Sequence, residues 1–241
     1  MAGRHAVTAA LKGHRKILRV FLAQGLDRQV AAELTALAGK RGVAIAVADR
    51  RWLDVRAGVT PHQGVVAEGE PISMRTLDEL VAAVPEGQAP LFVLLDQVQD
   101  PHNLGAIIRS AAAAGAHGVV VPERRSAGLG PGTVKAAAGT AEWFPVAQVT
   151  NLVRTMEQLK KQGIWLAGAD SDGPELLWRA DFAVPLGLVI GGEDRGLGRL
   201  VREKCDYLVR LPMQPGVPSL NASVAAALLL YEAARQRSTH S

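Results

Sequence analysis

Cysteine is nearly missing from this chain of 241 residues: Cys205 stands alone. An internal disulfide is therefore excluded, and a reducing cytoplasm is the expected setting. Aromatic residues make up only 4% of the chain, too few for base stacking to be the main grip on a nucleic acid. No apolar run reaches the length of a membrane span; residues 224–230 are among the longest and fall far short. The N-terminus has no apolar stretch leading to a small-residue cleavage site, so neither a secretory leader nor membrane attachment is expected. His5, His14, His62, His102, His117 and His240 are scattered without neighbouring thiols, and no metal site is expected.

What is present is ordinary globular composition with an uneven charge. Hydrophobic residues are 48% and charged residues 21% of the chain, enough apolar material for one large domain or two small ones. The net charge of +4 conceals a basic front end. Residues 1–60 carry eleven Lys and Arg against four acids, while residues 61–241 carry 16 against 19. A basic front end on a near-neutral body suits a surface that meets a polyanion, RNA or DNA first. Charge alone leaves a merely solvated face equally open.

Periodicity divides the chain. Helix and strand alternate over the first 70 residues, with helices expected at 3–12, 28–40 and 51–56 and strands at 17–23, 43–48 and 64–68. Residues 71–90 hold Pro71, Pro85, Gly87 and Pro90 around one short helix and read as a linker. From 91 to 241 nearly continuous apolar strands (91–95, 118–121, 164–167, 186–190 and 207–211) alternate with helical stretches (104–114, 134–139, 151–162, 197–205 and 222–236). Strands buried on both faces and separated by helices imply an α/β domain with a largely parallel sheet.

Three segments follow such strands: 100–109 (DPHNLGAIIR), 191–196 (GGEDRG) and 211–223 (LPMQPGVPSLNAS). Ligands of parallel α/β sheets collect at this end of the strands. In the first segment Asn103 can cap the coming helix, and Gly105 permits a close approach. Arg109 lies six residues on, about a third of a turn away round the helix, so only its long side chain could bring the two to one site. Alone, this segment is a capped helix with a surface arginine. In the second, Glu193 stands where a dinucleotide loop would need glycine, and no phosphate cradle ending in Lys-Ser/Thr follows. Alone, it is a charged tight turn. The third is more telling: Ser219, Asn221 and Ser223 exceed what one helix cap requires.

Together these segments resemble the three motifs of the SpoU (TrmH-like) RNA 2'-O-ribose methyltransferases. The likeness extends through 123–127 (ERRSA), 135–142 (KAAAGTAE) and 149–152 (VTNL). The front end, with 3–7 (GRHAV) and 62–64 (HQG), is similar to the substrate-binding domain of the bacterial subgroup that methylates a guanosine of 23S rRNA.

The resemblance implies a parallel α/β catalytic domain at 91–241 whose last segment threads a deep trefoil knot, a linker at 71–90, and an RNA-binding α/β module at 1–70. It implies a homodimer with residues of both copies near the reaction, S-adenosylmethionine as cofactor, and 23S rRNA or an assembling large ribosomal subunit as partner. It assigns Arg109, Asn103, Glu193, Ser219 and Asn221 to the reaction, and Gly191, Gly192, Leu211, Met213 and Leu220 to the cofactor. Asp194-Arg195 and Ala222 depart from the family pattern without touching those groups. Two alternatives stay open: the same chemistry on tRNA or another rRNA site, and a non-catalytic RNA-binding assembly factor. With few aromatics, RNA contact should run through phosphates and be steeply salt-dependent.

Overall fold

A computed structural model describes residues 1–13, 15–58, 61–193 and 195–238, and the chain forms two compact units. The smaller takes residues 1–73 together with 138–143. It contains α1 (Arg4–Lys12), β1 (Ile17–Ala23), α2 (Arg28–Lys40), β2 (Ala44–Ala48), α3 (Arg50–Ala57) and β3 (Val65–Gly69). Its sheet has the order β2-β1-β3, with β2 parallel and β3 antiparallel to β1.

Alternation along β1 supplies both faces of that sheet. Val20 and Leu22 pack with Val7, Leu11 and Leu34 of α1 and α2, while Phe21 packs with Leu53 and Trp52 of α3. Asp27 and Asp49 cap α2 and α3 through their carboxylates. Within the same unit the buried Glu142 meets the Arg15 guanidinium at 3.1 Å. Burial pushes the Glu142 carboxyl above its ordinary range, and Arg15 opposes that rise.

The larger unit takes residues 74–137 and 144–241. It contains α4 (Leu77–Ala82), β4 (Leu91–Asp96), α5 (Pro101–Ala113), β5 (Gly118–Pro122), α6 (Pro131–Ala136), β6 (Val146–Val149), α7 (Leu152–Lys161), β7 (Trp165–Ala169), β8 (Glu175–Leu176), β9 (Leu186–Gly191), α8 (Arg199–Lys204), β10 (Tyr207–Arg210) and α9 (Ala222–Ser238). Its seven strands run parallel in the order β6-β5-β4-β9-β7-β10-β8. Every residue of β4 is buried, as the unbroken apolar run requires of a central strand. Within this unit Arg75 already pairs with Ala147 of β6, and α4 buries Leu77 and Leu80. Residues 75–82, within the stretch expected as a linker, thus pack in the larger unit.

Three further differences have local causes. Strand β6, which was not expected, is a short edge strand following Pro145, with Gln148 exposed between buried neighbours. Helix α6 starts at Pro131 and stops at Ala136, because Ala138 and Gly139 turn left-handed (φ 50° and 88°). Helix α5 is capped by Asp100, whose carboxylate accepts from the His102 N–H at 2.8 Å, with Pro101 at the first helical position. Asn103 therefore sits inside the first turn, buried, and is not the cap.

The C-terminal chain comes back across the sheet, so that α9 packs on α5 and β9. At its end Arg237 donates to the carbonyls of Ala89, Pro90, Phe182 and Val184, at the start of β4 and β9. Gly105 is where α5 touches α6: a Cβ there would lie 2.5 Å from both the Ala136 Cβ and the Thr133 carbonyl oxygen. Gly105→Ala should destabilise the protein by about 1–3 kcal/mol despite the better helix propensity of alanine. A melting experiment would show Tm lowered by roughly 2–10 °C; an unchanged or raised Tm would refute the contact.

Candidate active site at the carboxyl ends of β4 and β9

Connections leave β4 toward β5 and leave β9 toward β10, on opposite sides of the sheet. The carboxyl ends of this adjacent pair therefore form a topological switch point, the place where parallel sheets open a crevice. Register pairs Asp96 with Gly191 at that end. The Asp96 carboxylate reaches across to accept the Gly198 N–H at 2.7 Å, pinning the loop after β9.

The glycines of that loop are required by crowding. A Cβ on Gly191 would collide with the carbonyl group of Gly196 and lie 2.5 Å from the Leu197 nitrogen. One on Gly192 would lie 2.6 Å from the Gln97 carbonyl oxygen. The turn closes with the Gly196 N–H donating to the Gly192 carbonyl at 2.9 Å, and Gly196 is left-handed (φ 60°). Asp194 lies outside the described residues.

Asn221 joins all three segments. Its Nδ2 donates to the Asn103 Oδ1 at 3.0 Å and to the Glu193 carboxylate. Its Oδ1 accepts from the Ser223 N–H at 2.9 Å and the Ser223 hydroxyl at 2.6 Å, capping α9. One amide thus starts α9 with its oxygen and ties the first turn of α5 to the loop after β9 with its nitrogen.

Two cavities flank this cluster. The smaller, about 390 Å³, is lined by Gly191, Gly192, Leu211, Met213 and Leu220, the five residues expected to hold the cofactor, and by Ser219. The larger, about 620 Å³, is lined by Asn103, Glu193, Gln97, Asp100 and Arg125 among others. They share Gly192, Glu193, Arg195, Gly196 and Ala222. Arg109 is not brought in: it is exposed, lines neither cavity, and its guanidinium has no hydrogen bond or ion pair among the described residues. Sequence reasoning passed over Asp170, which follows β7, lines the smaller cavity and pairs with Arg202 at 2.6 Å. Its position just beyond a parallel strand was the available signal. Thiol chemistry is unsupported, because burial pushes the Cys205 thiol up to about 12.

Residues 90–231 match the model of the SpoU rRNA methylase family, and residues 2–74 match that of the RNA 2'-O ribose methyltransferase substrate-binding domain. The chain belongs to the SpoU family. Among SpoU relatives, a putative TrmH family tRNA/rRNA methyltransferase of Bacillus subtilis is 46% identical, over 98% of this chain and 94% of its own. The 23S rRNA (guanosine-2'-O-)-methyltransferase RlmB of Ralstonia nicotianae is also 46% identical, over 99% of this chain and 96% of its own. Among solved SpoU structures, the methyltransferase AviRb from Streptomyces viridochromogenes in complex with the cofactor AdoMet superposes with a TM-score of 0.83. It is 28% identical and covers 99% of this chain and 90% of its own.

Asn221→Asp separates the two halves of the Asn221 amide, since the oxygen that caps α9 remains while the donor to Asn103 and Glu193 is lost. It should cost about 1–3 kcal/mol at pH 7. A variant as stable as wild type at pH 7 would contradict the shared-donor geometry.

Proposed function

We propose that this protein transfers a methyl group from S-adenosylmethionine to the 2'-hydroxyl of a guanosine in 23S rRNA. The observation that carries the reading is the meeting of Asn103, Glu193 and Asn221 where two cavities join. The RlmB relatives, named for that reaction, support the substrate. The smaller cavity suits the cofactor: its loop leaves no room for a Cβ at Gly191 or Gly192, and Leu211, Met213 and Leu220 add apolar wall. Main-chain groups at Gly191, Leu211 and Leu220 can hold polar edges of the molecule, which explains why apolar side chains serve at two of those positions. When bound, S-adenosylmethionine supplies an electrophilic methyl group on a sulfonium.

The chain's own task is alignment and the removal of a proton from a weakly acidic alcohol. Glu193 and Asn103, held by Asn221, face the larger cavity and can orient ribose hydroxyls, with Ser219 on the neighbouring wall. Arg109 acts as a clamp on phosphate and ribose and not as a base, because guanidinium stays protonated in proteins. The proton leaves to a substrate phosphate or to water.

The protein works as a homodimer in the cytoplasm, on rRNA or an assembling large subunit, and a partner copy brings Arg109 to the site. An exposed apolar row on α9 (Val224, Leu228 and Tyr231) supports this assembly. The return of the chain to α9 is read as the threading of the family's knot. Residues 1–70 recruit RNA and 91–241 carry out the transfer. The tRNA/rRNA label of the Bacillus subtilis relative keeps tRNA as the second reading.

Labelled S-adenosylmethionine incubated with unmodified 23S rRNA should give one 2'-O-methylated guanosine on mapping. Transfer to tRNA alone would favour the second reading, and absence of cofactor binding would overturn the enzyme reading. Arg109→Ala should abolish turnover while cofactor affinity stays within about twofold, a change below 0.5 kcal/mol. Methylation at the wild-type rate would remove Arg109 from the mechanism.

A further inference from the structure

The larger cavity, where Glu193 and Asn103 face the acceptor ribose, has a second wall built from the turns after β4 and β5. Arg125 reaches its wall from the turn after β5, with its backbone left-handed at φ 57°. Gln97, in the turn after β4, lines the same cavity and is left-handed at φ 61°. Side-chain-bearing residues rarely adopt this conformation, and where the fold enforces it the strain tends to serve a site. Among the described residues four non-glycine positions are left-handed, and two of them converge here. The turns are tied together by the Ala127 N–H donating to the Val98 carbonyl at 2.9 Å.

Charge completes the picture. Arg125 is exposed, and its guanidinium has no carboxylate or carbonyl partner among the described residues. Arg195 lines the same cavity and is likewise without an ion pair among them. Two acids line the cavity with them: Glu193 is engaged by Asn221, and Asp100 caps α5. An uncommitted arginine presented by a strained turn, beside a cavity of about 620 Å³, suits a nucleotide whose phosphate needs a planar, multidentate donor.

We propose that this cavity receives the acceptor nucleotide and that Arg125 binds the phosphodiester next to the ribose being methylated. The assignment rests on the methyltransferase reading above. It places the nucleotide on the opposite side of Glu193 and Gly192 from the cofactor cavity, so the residues shared by the two cavities mark where the reacting groups meet.

Arg125→Gly tests this cleanly, because glycine relieves the left-handed strain while removing the charge. Its Tm should equal or exceed that of wild type, and its affinity for S-adenosylmethionine should be unchanged. KM for RNA should rise roughly fivefold or more with a smaller effect on kcat, and the slope of log affinity against log salt should become shallower by about 0.7–1. Arg125→Lys should restore most of the salt slope. Wild-type KM and slope in the glycine variant would overturn the proposal, as would weaker binding with an unchanged slope, which would mark a loss of turn shape. If wild-type protein neither binds S-adenosylmethionine nor methylates RNA, the methyltransferase reading itself fails and the pocket assignment falls with it.

Discussion

The side chain of Asn221 holds together three stretches of chain that lie far apart in sequence. Its nitrogen serves Asn103 at the start of α5 and Glu193 in the loop after β9, while its oxygen starts α9. Asn103 is buried, so loss of this donor would leave its amide oxygen without a partner, whereas the exposed Glu193 carboxylate could turn to water. The arrangement joins the start of α9 to α5 and to the loop after β9, whose Glu193 lines both cavities. Asp96 adds the second restraint from inside the sheet, through the Gly198 N–H.

Sheet order explains why these restraints fall where they do. Inserting β9 between β4 and β7 sends neighbouring connections to opposite sides, and the crevice opens between the carboxyl ends of β4 and β9. The apolar runs of β4 and β9 make them central strands, so the polar residues just after each run are delivered to the same rim. The two cavities are consequences of this one opening, divided by the loop at 192–196.

Much of this was legible in the residues. The parallel sheet follows from uninterrupted apolar strands, and the site follows from polar turns at their ends. The five residues expected around the cofactor line one cavity. What escaped depended on distant or directional facts. Asp100 and Asn103 can both cap a helix, and the cap falls to Asp100, which directly precedes Pro101 at the first helical position. Glu142 is buried by its pairing with Arg15, 127 positions away, which no local pattern records. Arg75 joins the larger unit through backbone pairing, invisible to side-chain periodicity. Arg109, a third of a turn round α5 from Asn103, is exposed and lines neither cavity. The left-handed turn at Arg125 carries no sequence mark, because glycine or asparagine would be the usual signal.

A crystal structure grown with S-adenosylhomocysteine would test the central claim directly. The account predicts ligand density in the cavity bounded by Gly191, Leu211, Met213 and Leu220, with Asn221 still bonded to both Asn103 and Glu193. Density in a different part of the molecule, or an Asn221 side chain turned away from both partners in the bound state, would contradict it.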